Sequence, residues 1–237
     1  MFLCELTAAL APLGIVLTKK QRQQFDTFAA MLVEKNKVMN LTAITEPKEI
    51  AVKHMADSLS CYEPVWFPEN ASLLDLGTGA GFPGVPLAIL RPDLEITFFD
   101  SLQKRLRFVA EVTTALGLER VHFLHGRAEE EAHRTEYREA FDIVTTRAVA
   151  RLNILSEWAL PYVRCGGAFI ALKGARYEEE LAEAAKALTV LGGAAAVVRA
   201  VSLYGISDKR AVFYIRKEKE SPKKYPRKPK MANKNPL

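Results

Sequence analysis

The stretch Asp75-Leu-Gly77-Thr-Gly79-Ala-Gly81-Phe-Pro-Gly84 constrains this chain more than any other. It follows Ser72-Leu-Leu-Asp-Leu, an apolar run that reads as a strand. Glycine is required where a backbone must turn sharply or approach a ligand without a Cβ in the way. A helix starting near Pro83 or Val85 would aim its unpaired N–H groups at the loop, which suits an anionic or carboxylate ligand. Asp100 closes the next strand candidate, Glu95–Asp100, 23 residues after Gly77. A carboxylate at that point accepts hydrogen bonds from ribose hydroxyls.

The rest of the chain supports an α/β sheet. Val121–His125, Phe141–Thr146 and Gly167–Leu172 are further strand candidates. Between the second and third strands, Leu102, Leu106, Val109, Val112 and Leu116 follow a helical period. Strand–helix alternation predicts a parallel sheet covered on both faces. Ala196–Leu203 and Arg210–Ile215 are joined by a loop too short for a helix, so they should form an antiparallel hairpin. Residues 1–70 read as a helical extension packed on the sheet domain. In it, Thr18 N-caps a helix to Asn40, and a second helix runs from near Pro47 to about Cys61 with Ile50, Ala51, His54, Met55 and Leu59 on one side. Residues 71–217 form the expected sheet domain, and 218–237 a basic, Pro-punctuated flexible tail.

Composition closes off other classes. The 237 residues are 49% hydrophobic and 26% charged, ordinary for a folded globular chain. Cys4, Cys61 and Cys165 form no C-x-x-C pair, so a zinc or dithiol site is not expected, and a reducing compartment fits best. The apolar first seventeen residues carry Glu5 and lack the basic start of a signal peptide. No apolar run of eighteen occurs, so the expectation is a cytoplasmic chain with no membrane span and no metal.

Two cofactor classes use such a loop. Gly79, Gly81 and Gly84 satisfy the dinucleotide pattern G-x-G-x-x-G, a weak signal alone. The register Asp75-x-Gly77-x-Gly79-x-Gly81 instead matches the first motif of S-adenosyl-L-methionine-dependent methyltransferases. Asp75 stands where a dehydrogenase carries an apolar residue, Pro83 disturbs a dinucleotide helix, and the terminal hairpin belongs to the methyltransferase sheet. A purely structural glycine turn is the third reading. The loop Gly126-Arg-Ala-Glu-Glu130 has two readings of equal weight: Ala128 and Glu129 at an adenine edge, or acids in the first turn of a helix.

The substrate chemistry is narrowed by absences. Thr145-Thr-Arg147-Ala holds no D/N-P-P-Y/F motif for adenine amine methylation, and Cys165 lacks the Pro-Cys setting of a carbon-5 pyrimidine nucleophile. Arg127, Arg147 and Lys173 fall at three successive strand ends, where ligands bind in open sheets. Three cations there point to an anionic substrate such as nucleic acid. His54 and Asp57 fit a metal half-site poorly and are expected to hydrogen-bond locally, docking the N-terminal helices beside the glycine loop. Asn40 reads as a helix C-terminal residue.

Across almost its whole length the chain resembles the bacterial small-subunit ribosomal RNA guanine-N7 methyltransferases, the glucose-inhibited division protein B family. The matching stretches are Asn40-Leu-Thr, His54-Met-Ala-Asp57-Ser-Leu59, Asp75 through Pro86, Asp100-Ser-Leu-Gln-Lys-Arg105, Arg127-Ala-Glu, Thr146-Arg-Ala148, Leu172-Lys-Gly174 and the ending Lys224-Tyr-Pro-Arg-Lys-Pro. Lys230-Met-Ala-Asn departs from the glycine-containing tail of that family. The resemblance implies a Rossmann-like class I fold with a mostly parallel seven-stranded sheet. It implies methyl transfer to N7 of a guanosine in 16S ribosomal RNA, at nucleotide 527 in the family's naming. It implies cofactor contacts among Asp75, Gly77, Thr78, Gly79, Gly81, Phe82, Asp100, Ser101, Leu102, Ala128, Glu129 and Arg147, and RNA or catalytic roles for Asn40, Arg127, Arg147 and Lys173. The implied partner is 16S ribosomal RNA or the small-subunit particle, met by a monomer. A methyltransferase for a small molecule or protein, or a non-catalytic RNA-binding regulator, are the alternatives.

Net charge adds one expectation. Lys and Arg number 33 against 28 Asp and Glu, a net +5. Residues 216–237 hold nine of the cations and two Glu, a net +7, which leaves the rest at 24 − 26 = −2. Nonspecific RNA attraction is therefore expected from a mobile tail.

Overall fold

A computed structural model describes all 237 residues. Helices come first, as α1 (Phe2–Leu10) and α2 (Lys19–Met39). The Thr18 hydroxyl accepts from the Gln21 N–H while the Gln21 side chain accepts from the Thr18 N–H, a reciprocal cap that fixes where α2 begins. Asn40 ends α2 in the left-handed region at φ 49° and ψ 53°. α3 (Pro47–Glu49), a π-helical stretch Ile50–Ala56 and α4 (Asp57–Leu59) follow one another without a break. Ile50, Ala51, His54, Met55 and Leu59 are all buried, as their spacing predicts.

The strands are β1 (Ser72–Leu76), β2 (Glu95–Asp100), β3 (Val121–His125), β4 (Phe141–Arg147), β5 (Val163–Lys173), β6 (Val197–Val201) and β7 (Arg210–Arg216). They form one sheet in the order β3-β2-β1-β4-β5-β7-β6. Every pair is parallel except those made by β7, which runs antiparallel to both β5 and β6. β5 starts four residues earlier than its apolar run, because Val163 pairs with Phe141 ahead of a register shift. α5 (Gly84–Leu90), α6 (Gln103–Ala115), α7 (Ala128–Glu131), α8 (Leu152–Ala159) and α9 (Tyr177–Val190) alternate with the strands.

One core lies between the sheet and the N-terminal helices with α5 and α6, and includes Phe25, Phe28, Leu73, Phe98 and Tyr214. The other lies under α8 and α9, around Leu74, Phe99, Tyr162, Phe169 and Phe213. β1 sits between β2 and β4, so the order reverses there and a crevice opens at the strands' carboxyl ends. No helix is long and apolar enough to cross a membrane.

The end of the chain corrects an expectation: it lies folded against the body. Lys217 is fully buried; its ammonium donates to the Leu160 carbonyl and the Ser221 hydroxyl, each at 2.6 Å, and pairs with Glu139 at 3.2 Å. Tyr225 joins the second core, and Arg227 pairs with the buried Glu157 at 2.6 Å. Arg138 donates to the Ser221 and Tyr225 carbonyls. A short helix α10 (Met231–Lys234) follows. Ion pairs and single aromatic anchors hold this segment, and neither leaves a periodic apolar pattern to read.

Candidate cofactor and substrate site

The glycine loop is organised from beneath by Asp75. This carboxylate is fully buried at the end of β1. Oδ2 accepts from the Thr78 hydroxyl at 2.6 Å and the Gly84 N–H at 2.9 Å, and Oδ1 accepts from Thr145 at 3.3 Å. Burial raises its pKa from 3.8 to about 6, against those hydrogen bonds, which favour the ionised form. Gly77 turns the chain at φ +75°, and its N–H and that of Thr78 both donate to the Phe99 carbonyl. A Cβ on Gly84 would lie 2.5 Å from the Phe98 ring and 2.6 Å from Asp75 Oδ2, so only glycine fits there.

A cavity of about 490 Å³ opens above the loop. Gly77, Thr78, Gly79, Phe82, Asp100, Ser101, Ala128, Glu129 and Arg147 line it, together with Arg127. Asp100 is buried at the end of β2; its oxygens accept from the Leu102 N–H at 2.9 Å and the Gly79 N–H at 3.0 Å. A carboxylate with two oxygens keeps lone pairs for further donors. Open glycine backbone, a ribose-type acid and an apolar aromatic floor fit a nucleoside bearing an amino-acid side arm. Asp75, Gly81 and Leu102 lie outside the lining. Asp75 sits below the loop, Gly81 faces Val85 and Phe28, and the Leu102 side chain points to solvent.

At the β4 end of the cavity, Arg147 is held from several sides. Its guanidinium donates to Asp57 Oδ2 and the Lys53 carbonyl, both at 3.0 Å, and to His54 Nδ1 at 3.2 Å. It also lies over the Phe82 ring at 4.7 Å. The His54 ring stacks on Phe82 with centroids 4.6 Å apart. Burial, and then the Arg147 charge, lower the His54 pKa to about 3, so the ring is neutral at pH 7. Since Nδ1 accepts from Arg147, the proton sits on Nε2 and is donated to Thr42 Oγ1 at 2.8 Å. The π-helical stretch carries both Lys53 and His54, a placement π-turns often have at functional sites.

A second cavity of about 530 Å³ shares His54, Arg147, Ala148 and Val149 with the first. It is lined by six cationic side chains, Lys53, Arg147, Arg151, Lys173, Arg176 and Arg210, against two acids, Asp57 and Glu180. Lys173 is not free: it pairs with Glu180 at 2.6 Å and donates to the Ala150 carbonyl, and burial lowers its pKa. Arg210 pairs with Asp57 at 3.1 Å. Arg127 is exposed at the rim of the first cavity and makes no ion pair, whereas Asn40 is exposed outside both. From its Asn40-Leu-Thr stretch, the lining residues are Leu41 and Thr42.

Sequence reasoning missed Thr42, Arg105, Trp158, Lys230 and Asn233 in the first cavity and Lys53, Arg151, Arg176, Glu180 and Arg210 in the second. Three acids opening α9 directly after Lys173 were the one available signal for Glu180.

A sheet of this order, with a glycine loop after β1 and an acid closing β2, belongs to an S-adenosyl-L-methionine-dependent methyltransferase of the Rossmann-like class I fold. Among solved structures, a predicted O-methyltransferase from Agrobacterium tumefaciens matches 70% of this chain and 81% of its own with a TM-score of 0.54 at 18% identity. A precorrin-6y C5,15-methyltransferase from Geobacter metallireducens matches 76% and 92% with a TM-score of 0.50 at 15% identity. These show the fold alone. The family model for rRNA small subunit methyltransferase G matches residues 21–206. The Ribosomal RNA small subunit methyltransferase G of Bacillus subtilis is 46% identical over 233 residues, 98% of each chain. That of Desulforamulus reducens is 46% identical over 221 residues, 93% of this chain and 92% of its own. The chain belongs to the rRNA small subunit methyltransferase G family, and it is a methyltransferase that uses S-adenosyl-L-methionine.

Proposed function

We propose that this chain methylates N7 of a guanosine in 16S ribosomal RNA, guanosine 527 in the family's naming, as a cytoplasmic monomer. The observation that carries this reading is the shared wall between the two cavities. One cavity suits a nucleoside cofactor, the other is cationic, and Arg147 and His54 line both. A polyanionic strand bound in the second cavity would bring a base to the edge of the first.

The side chains at that wall favour an acceptor that brings its own lone pair. When bound, S-adenosyl-L-methionine supplies an electrophilic methyl group on its sulfonium. Guanine N7 carries an in-plane lone pair, so no proton acceptor is needed there. At the shared wall none is free: His54 uses both ring nitrogens, and the Asp57 carboxylate faces Arg147 and Arg210. Cys61 is buried, and burial pushes its thiol pKa well up, so it is no thiolate nucleophile. The work left to the protein is alignment. Arg147 is rigidly held, and from the wall it can hold guanine O6 or a phosphate while leaving N7 open. Arg127 guards the rim of the cofactor cavity, and Arg176, which has no ion-pair partner, is placed to take a flanking phosphate, whereas Arg151 pairs with Glu183 at 2.6 Å.

Incubation with methyl-labelled cofactor and naked 16S ribosomal RNA, assembled small subunits or free nucleosides tests the proposal. Label on RNA at a guanosine that becomes cleavable by reduction and aniline is the expected result. Label on nucleosides or protein but not RNA sinks it.

A further inference from the structure

The tail is built into the wall of the cofactor cavity. Lys230 and Asn233 line that cavity beside Trp158, although more than 70 residues of sequence separate them from the nearest other lining residue. They are held there by a latch. Glu157, one residue before Trp158 on α8, has a side chain only 1% exposed; it accepts from Arg227 Nε and Nη2 and from the Arg227 backbone N–H. The Arg227 guanidinium also donates to the Asn235 carbonyl, which closes the last turn of the chain back on the latch. His133, just beyond α7, bonds the Pro226 carbonyl at 2.8 Å. Neither the Lys230 ammonium nor the Asn233 amide has a hydrogen-bond partner within the chain.

We infer that the 218–237 segment is the outer wall of the cofactor site, and that Lys230 and Asn233 donate to S-adenosyl-L-methionine. The same cavity is lined by Ala128 and Glu129, at the start of α7. The tail and the cofactor then bind cooperatively, since a ligand touching both body and tail stabilises the docked form. This rests on the cofactor reading above.

Calorimetry with S-adenosylhomocysteine tests the inference without reference to turnover. Lys230→Gln keeps the backbone conformation and removes the charge; combined with Asn233→Ala it should weaken binding at least fivefold. Both side chains are exposed at the cavity mouth, so folding should survive. In the unaltered chain, S-adenosylhomocysteine should slow protease cleavage among Lys223, Lys224, Lys228 and Lys230. Unchanged affinity in the double variant overturns the inference, and so does cleavage indifferent to ligand. If the double variant loses RNA affinity while keeping full cofactor affinity, the two residues serve the substrate and the inference fails. Absence of S-adenosylhomocysteine binding by the unaltered chain would instead overturn the cofactor reading itself.

Discussion

His54 is the residue whose charge state the fold decides most firmly. Its pKa falls from 6.5 to about 3 because burial and the Arg147 guanidinium both oppose an imidazolium. Between those two values the unfolded chain binds a proton that the folded chain excludes. Stability therefore falls as pH falls through that window, by about 1.4 kcal/mol per pH unit at the steepest. Asp75 acts in the opposite sense, because its carboxyl is raised to about 6. Between 3.8 and 6 the folded chain holds the extra proton, so this group adds stability as pH falls. Denaturation midpoints from about pH 4 to 7 should show His54→Gln losing the acid-side decline and leaving the Asp75 trend exposed; an unchanged profile would mean that His54 titrates normally. Gly84→Ala should cost about 1–3 kcal/mol in denaturant melts, because its Cβ meets Phe98 and Asp75 inside van der Waals distance. Lys230 gives the reverse case. It stands at φ +70°, where a side chain is strained. Lys230→Gly should raise stability by about 1 kcal/mol in the same melts while weakening cofactor binding.

At the scale of elements, the glycine loop and the strands were legible because each carries a local signature. Apolar runs alternating with helical periods, an acid closing β2 and a terminal strand pair with no helix between mark a mostly parallel sheet that ends in an antiparallel hairpin. The tail was illegible for a physical reason. Its ties are Lys217 to Glu139 and Arg227 to Glu157, pairs 78 and 70 residues apart in sequence that leave no period. Lys173 does close β5, and its ammonium meets Glu180 only seven residues on in α9, a contact that depends on how that helix folds back. Asn40 was read correctly from the residues as a helix terminus; only the resemblance placed it in the site. The Arg227–Glu157 latch makes a definite prediction. Arg227→Ala leaves the Glu157 carboxylate buried and alone, which should cost about 3–5 kcal/mol. Arg227→Ala with Glu157→Leu removes both charges and should recover most of that loss. Thermal melts of the two variants check it, and equal destabilisation would show that the latch is not an ion pair in solution.

For the whole molecule, the docked tail changes where the positive charge acts. Of its nine Lys and Arg, Lys217 and Arg227 are matched by body carboxylates, and Arg216 lies 4.3 Å above the Trp66 ring. The remaining tail lysines are exposed on a docked segment instead of a free arm. Deleting everything after Arg216 would therefore confound two effects, because it also removes Tyr225 from the second core and Lys230 from the cavity wall. Replacing Lys219, Lys223, Lys224, Lys228 and Lys234 by Gln isolates the electrostatic part, since none of these has an ion-pair partner and none lines the cavity. RNA affinity should fall most at low salt. The slope of log affinity against log salt should flatten by about 0.7 for each lysine that meets a phosphate. Cofactor affinity should stay unchanged in the same preparation. Arg176→Gln in the second cavity should flatten the slope by about the same amount, and it should also lower methyl transfer at saturating RNA, because that cation sits where the strand must be aligned. If the lysine variant keeps its full salt slope while Arg176→Gln loses part of it, RNA is gathered by the cationic cavity alone, and the charge on the tail does not reach the strand.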